Sequence, residues 1–185
     1  MAKVLVPVST GFEEIEAVSI VDVLRRAGIE VILAGVNGTQ IEGANGISLI
    51  MDTTIDDVEV EQFNMIVLPG GHANAVTLAN NERVQTLIKD FKAKDKYIGA
   101  ICAAPIALHE ADVLNKNYTC YPSYEEQIRL DGFSDNQKVV KDGKVITSRG
   151  PGTAICFGLQ IVKELVGVDT YNQLKEGLLT TYCEE

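Results

Sequence analysis

The sequence predicts an α/β fold, a mostly parallel sheet covered by helices on both faces. Three observations carry that prediction. Short apolar runs of strand length, free of charge, recur along the chain. Segments of helical period lie between them, and alternation of strand and helix implies parallel strands joined by crossovers. The turns after Val8, Leu68 and Ile101 all fall on one edge of such a sheet, the carboxyl edge where α/β folds place their sites.

The elements follow in order. Residues 3–8 are the first strand. Ser9-Thr-Gly-Phe12 turns into a helix over residues 13–27, which Gly28 ends because glycine accepts the conformation that closes a helix. Residues 29–35 are the second strand. Residues 39–52 hold two short extended pieces around Gly43 and Gly46, an antiparallel excursion, and residues 54–59 an acidic helical turn. Residues 65–68 form a fully apolar strand that ends in Pro69-Gly70-Gly71, a turn that lets backbone approach closely. Residues 81–93 are an amphipathic helix. Residues 97–101 form a buried strand that runs into an alanine-rich helix, and residues 118–121 are another short strand. Asp142-Gly143 is a hairpin signal between strands at 138–142 and 144–148. Arg149-Gly-Pro-Gly-Thr153 opens a helix to residue 165 with Pro151 in its first turn, and residues 170–179 close the chain as helix.

The 185 residues suffice for one domain with a full core, and no shift of composition divides them, so residues 1–185 are expected to be a single domain. A hydrophobic content of 46% with 23% charge is that of a soluble globular protein. The net charge of −10 argues against nucleic acid and anionic membrane surfaces as partners. No apolar run approaches bilayer length, and the apolar stretch after Lys3 is too short for a signal peptide, so the expected compartment is the cytoplasm. The four cysteines, Cys102, Cys120, Cys156 and Cys183, have no paired spacing; in reducing cytosol they are expected to be free thiols.

Chemistry concentrates around Cys102, where strand turns abruptly into helix. Ala100 and Ala104 flank it at two residues on either side, where nucleophile elbows place small residues. The first amides of the following helix would favour thiolate over thiol there. A buried core cysteine is the alternative. Glu16 shares a helical face with Ile20, Val23 and Ala27. Desolvation there would raise its pKa and keep it a neutral acid; alternatively it is an edge residue whose carboxylate reaches water. Glu13 and Glu14 read as first-turn charges without a chemical role. The amides of Gly70 and Gly71 could stabilise negative charge on a substrate oxygen, or simply end a strand. His72 follows Gly71 and could approach the same edge or lie in solvent; His109 reads as a helix-end residue. No cluster has metal-ligand spacing, and residues 149–153 lack the Lys-Ser/Thr of a phosphate loop.

Gly11-Phe-Glu-Glu-Ile-Glu16, Val67-Leu-Pro-Gly-Gly71, Ala100-Ile-Cys-Ala-Ala-Pro105 and Thr147-Ser-Arg-Gly-Pro-Gly-Thr153 stand in the order found in the DJ-one/ThiJ/PfpI superfamily. The chain resembles its DJ-one/YajL-like branch almost from end to end. The resemblance implies a flavodoxin-like, doubly wound sandwich and a homodimer. It places the reactive cysteine at Cys102, its acid partner at Glu16, and the oxyanion-hole amides at Gly71 and Ala103. It implies cofactor-free glyoxalase or protein deglycase activity on methylglyoxal, glyoxal or their early adducts. Oxidative-stress sensing and chaperone function through the same cysteine are the alternative. Two departures matter. Ala103 stands where peptidase-like members have His, which argues against a protease. Tyr121 stands where animal DJ-one proteins have a His before proline, so an imidazole is missing from that position and Tyr121 becomes a candidate substrate contact.

Overall fold

The computed structural model describes residues 1–183. Its centre is a seven-stranded sheet with strand order β5-β2-β1-β6-β7-β9-β8. The strands are β1 (Lys3–Val8), β2 (Glu30–Gly35), β5 (Thr53–Thr54), β6 (Met65–Leu68), β7 (Tyr97–Ile101), β8 (Val139–Asp142) and β9 (Val145–Ser148). Every pairing is parallel except β8 with β9, the hairpin that Asp142-Gly143 predicts. The excursion at residues 39–52 is a separate antiparallel pair, β3 (Gln40–Glu42) and β4 (Ser48–Ile50).

Side chains of a strand alternate between faces, and here each face meets its own helices. Val4, Val6, Val8, Met65 and Val67 point to one side. There they join Ile20, Val23 and Leu24 of α1 (Glu14–Arg26) and Phe157, Ile161 and Val162 of α6 (Ala154–Leu165). Leu5, Ile66, Leu68, Ile98 and Ala100 point to the other. Their partners are Leu87, Ile88 and Phe91 of α3 (Glu82–Ala93) and Ala107 and Leu108 of α4 (Pro105–Glu110). The charge-free strands are thus explained by burial on both faces. The chain leaves β1 toward β2 on one side and later returns to β6 on the other. The carboxyl edge at β1 and β6 is therefore a topological switch point, which opens a crevice between the diverging connections.

Four expectations need correction. Residues 118–121 are not a strand. Both edges of β7 are occupied, by β6 and β9, so the segment cannot pair with the strand it follows. Tyr118 makes one isolated bridge to Phe133; the Thr119 N–H goes to Thr147 Oγ1 and the Tyr121 N–H to the Cys102 carbonyl. Two helices were not anticipated: α2 (His72–Asn80), whose buried face is interrupted by Asn74, and the single turn α5 (Glu125–Ile128). The last helix, α7 (Val168–Gly177), starts and ends two residues earlier than expected. Finally, Cys156 and Cys183 are not free thiols but a disulfide. The chain reverses after Leu165, α7 packs back along α6, and a 3-10 turn at Thr181–Cys183 brings Cys183 onto the first turns of α6. A sequence separation of 27 between the two cysteines hides that proximity from spacing arguments.

The disulfide sets an expected thiol count. Unfolded without reductant, the protein should titrate as Cys102 and Cys120 only, the two free cysteines. Reduction should expose the other pair and lower the unfolding free energy by about 3 kcal/mol through lost loop constraint. Four titratable thiols before reduction would remove the bond.

Candidate functional site

Cys102 follows the last residue of β7 and takes a φ of +64°, a left-handed conformation that non-glycine residues rarely adopt. The surroundings hold it there. Its N–H donates to the Ser148 carbonyl of β9 at 3.0 Å, and its carbonyl accepts from the Tyr121 N–H at 2.8 Å. The turn 102–104 separates the strand from α4, where Pro105 occupies the first turn. The strand–turn–helix corner read from sequence is therefore present, and the bend aims the side chain out of the sheet at the crevice. The residue is nearly enclosed, 9% exposed.

Glu16 comes to the same point from α1. It is 0% exposed, and its Oε2 accepts the Gly70 N–H at 2.8 Å. Gly70 ends the turn after β6 and lies between the two groups. A Cβ on it would stand 2.5 Å from Glu16 Oε2 and 2.6 Å from the Cys102 Cβ, so only glycine fits. Gly71 has a φ of +90° and faces the Gly11–Glu13 turn, where a Cβ would stand 2.2 Å from the Gly11 carbonyl. The peptide N–H groups of Gly71 and Ala103 both reach the Cys102 sulfur. Glu16, Gly70, Gly71, Cys102 and Ala103 thus converge from three connections on one point.

The electrostatics correct one expectation. The thiol is not depressed by a helix terminus; it is pushed up to about 12, first by burial and then by the charge and hydrogen bonding of Glu16, with the Gly71 and Ala103 amides pulling it partly back. Glu16 is raised from 4.5 to about 7, chiefly by burial, against hydrogen bonds from Gly70 and the Cys102 thiol and with a small push from Glu13. Two neighbouring acids in one dry site cannot both ionise readily, so the pair titrates as a unit: it holds two protons below about pH 7 and a single one above it. Glu16 Oε1 is buried and lacks a hydrogen bond of good geometry, so the contact between carboxyl and thiol is a loose one. An orphaned carboxyl oxygen beside a thiol has hydrogen-bonding capacity left for a reacting atom.

The remaining candidates form a rim. His72 opens α2 and is exposed, and its Nδ1 lies 2.7 Å from the Tyr124 hydroxyl. Tyr121 is 47% exposed and meets Tyr124 edge-on, with ring centroids 6.5 Å apart. His109 is exposed in the last turn of α4, away from this rim. Three residues escaped the sequence reading. Asn74 is fully buried; it accepts the Ser9 N–H at 2.7 Å and donates to the Pro69 and Gly70 carbonyls, fixing the glycine turn. Glu14 is no idle first-turn charge. It accepts the Asn45 N–H at 2.6 Å, the Asn45 side chain at 2.9 Å and the Ile47 N–H at 3.4 Å, clamping the β3–β4 hairpin. Burial raises its pKa, but these hydrogen bonds outweigh it and leave the carboxylate below its ordinary value. Tyr124 is the third. No periodicity marks any of them; only a polar residue amid a helix's apolar positions hints at Asn74.

The buried carboxyl has a consequence for stability. Because the folded pKa of Glu16 exceeds the unfolded value, its burial is tolerated fully below pH 4.5 and loses ground as pH rises through 7. Glu16→Gln removes that dependence. Between pH 5.5 and pH 8 the variant should gain about 2 kcal/mol relative to the parent. Urea unfolding at the two pH values measures it, and an unchanged difference would mean that Glu16 titrates normally.

With this geometry in view, comparisons with known proteins agree. A sequence profile of the DJ-1/PfpI family matches residues 2–164. The chain is 39% identical to protein dj-1beta of Drosophila melanogaster over 182 residues, covering 96% of this chain and 97% of that protein. It is 34% identical to the glutathione-independent glyoxalase DJR-1.2 of Caenorhabditis elegans, covering 90% and 89%. The crystal structure of Drosophila DJ-1beta superposes with a TM-score of 0.94 at 38% identity, over 98% of this chain and 99% of that one. Oxidized Toxoplasma gondii DJ-1 superposes with a TM-score of 0.93 at 35% identity, over 98% and 100%. A full-length match in sequence and in an α/β flavodoxin-like fold places this chain in the DJ-1/PfpI family.

Proposed function

We propose that the chain is a cysteine-dependent, cofactor-free glyoxalase that also acts on early glyoxal adducts of proteins. The observation that carries this reading is the orphaned Glu16 Oε1 beside a buried thiol that two backbone amides address. The name of the nematode relative supports the substrate class. The pair's single proton sits on Glu16 when the sulfur is charged. The Cys102 thiolate adds to the aldehyde carbon of methylglyoxal and forms a hemithioacetal. Gly71 and Ala103 stabilise the oxygen that becomes negative. Glu16 gives its proton to that oxygen; the carboxylate so formed takes the proton from the former aldehyde carbon and delivers it to the neighbouring carbon, while the hydroxyl proton passes to the second oxygen. The result is a thioester of lactate, which water cleaves to lactate and free enzyme. The sum is methylglyoxal plus water to lactate plus a proton, with no oxidant or reductant consumed.

Purified protein should convert methylglyoxal to lactate, and Cys102→Ser should abolish the conversion. Glu16→Gln should lower turnover by a factor of about 10² or more, because a general acid–base group is lost. It should also erase the step in Cys102 alkylation rate near pH 7, where Glu16 titrates in the parent protein. Faster alkylation in this variant would locate the pair's charge on the carboxylate and overturn the assignment of the proton. The same site supports a redox-sensing reading, since a protonated Glu16 can donate to a sulfinate oxygen on Cys102, and an oxidized relative shares the fold. A wild-type protein that oxidises at Cys102 yet leaves methylglyoxal unconverted would decide for the sensor.

We also propose a homodimer. Ile15 and Val18 lie on the outer face of α1, and Ile47 and Ile50 on the hairpin that Glu14 clamps to it; all four are exposed. An apolar patch of this kind beside the site suits a self-complementary contact. Light scattering should give about twice the 20.0 kDa of one chain, and Val18→Glu should return the mass to that of a monomer. A monomeric parent protein at micromolar concentration would exclude the contact.

A further inference from the structure

Tyr124 stands at the mouth of the crevice with a position that the backbone fixes. The Tyr121 N–H is held by the Cys102 carbonyl at 2.8 Å, and the Tyr124 N–H by the Tyr121 carbonyl at 3.1 Å. The Tyr124 ring is half-buried and packs against the cluster that contains Cys102 and Ala103. Its hydroxyl meets His72 Nδ1 at 2.7 Å. His72 directly follows Gly71, whose amide addresses the sulfur. One hydrogen bond therefore spans the mouth, from the turn after β6 to the segment anchored on the Cys102 elbow. Ordering two long side chains at the surface costs rotamer entropy, and this bond joins no buried layer of the fold.

We infer that Tyr124, held by His72, is the specificity-determining group of this site, donating a hydrogen bond to the second carbonyl oxygen of an α-dicarbonyl bound at Cys102. The inference rests on the glyoxalase reading and extends it. A dicarbonyl brings two oxygens. The one on the attacked carbon goes to the Gly71 and Ala103 amides. The other, on the neighbouring carbon, needs a donor of its own or is desolvated without compensation. It is also the oxygen that becomes charged when the proton leaves the first carbon, so a donor placed there helps most in the transition state.

The proton inventory permits this. A phenol has one hydrogen and accepting lone pairs. When His72 Nδ1 carries its hydrogen, it donates to the Tyr124 oxygen, and the phenol's own hydrogen is free to point into the mouth. A carbonyl ligand, which only accepts, selects that tautomer. Burial first, and then the charges of Cys102 and Tyr121, push the Tyr124 pKa up, so the phenol stays a neutral donor. The imidazole missing from position 121 is thus supplied from position 72, behind a phenol instead of at the sulfur.

Two readouts on Tyr124→Phe, His72→Ala and His72→Gln test the assignment. In the first, Tyr124→Phe should lower kcat/KM for methylglyoxal by about 10- to 100-fold. His72→Ala should fall by about 10-fold, and His72→Gln, which can still hold the hydroxyl, should recover most of that loss. Cys102 alkylation by iodoacetamide, which has no second carbonyl, should change less than about 2-fold in all three. In the second, reversible protection of Cys102 from alkylation is compared for methylglyoxal and acetaldehyde. Methylglyoxal should protect better in the parent protein, and Tyr124→Phe should erase that advantage while leaving acetaldehyde unchanged. Unchanged kinetics and unchanged protection in Tyr124→Phe would overturn the inference and leave the glyoxalase reading intact. Tyr124-dependent protection without lactate formation in the parent protein would do the reverse.

Discussion

Everything at the crevice depends on one hydrogen bond, from the Gly70 N–H to the Glu16 carboxyl at 2.8 Å. It is possible because position 70 has no side chain: a Cβ would fall within 2.6 Å of both Glu16 and Cys102. The Gly70 peptide is restrained on its other side as well. Its carbonyl accepts from the Glu13 N–H at 3.1 Å and from the Asn74 side chain at 3.1 Å. Three connections, after β1, β6 and β7, are thereby locked around one peptide unit. A carboxyl and a thiol can be held side by side only because that unit leaves them little room to separate.

The arrangement opposes stability in order to set chemistry. A dry carboxyl beside a dry thiol raises the pKa of both, and each raised value records a charged form that the fold disfavours. The cost is carried by the rest of the architecture. Two apolar clusters, one on each face of the sheet, bury β1, β6 and β7 from both sides. They make the carboxyl edge rigid enough to hold Cys102 at a positive φ and Glu16 without water. The strain and the desolvation sit where the chain's motifs are densest, the pattern expected of a site maintained for reactivity.

Around this centre the polar contacts form a second layer. Glu14, two residues before Glu16, turns to the β3–β4 hairpin and clamps it. The hairpin in turn holds the Gly11–Glu13 turn through the Gly11 N–H to the Glu42 carbonyl at 2.9 Å and the Ala44 N–H to the Phe12 carbonyl at 2.9 Å. That turn abuts Gly71. Two acids two positions apart on one helix thus differ in environment: Glu14 is held ionised by donors, and Glu16 is pressed toward neutrality by burial. At the opposite wall, Tyr121 and Tyr124 hang from the Cys102 backbone itself, which ties the rim to the elbow.

The sequence by itself determined the α/β class, the parallel core strands, the corner at Cys102 and the glycine turn, and left Glu16 open between a buried acid and a helix-edge carboxylate. Each rests on short-range pattern: charge-free runs, helical period, and small residues at fixed offsets. The motifs around Gly11, Val67, Ala100 and Thr147, kept in order, were enough to identify the family. Tertiary structure alone decided the rest, because the interactions involved join distant residues. Cys156 and Cys183 meet only once α7 folds back on α6. His72 finds Tyr124 across 52 residues, and Asn74 finds Ser9 across 65. Residues 118–121 had extended character, but β7, the strand they follow, has both edges taken by β6 and β9. The thiol pKa is the sharpest case. Local sequence suggests a helix terminus that favours the anion, whereas the folded chain surrounds the sulfur with apolar atoms and an acid. Burial is a property of the whole packing, and its effect on a charge exceeds that of any one neighbouring dipole.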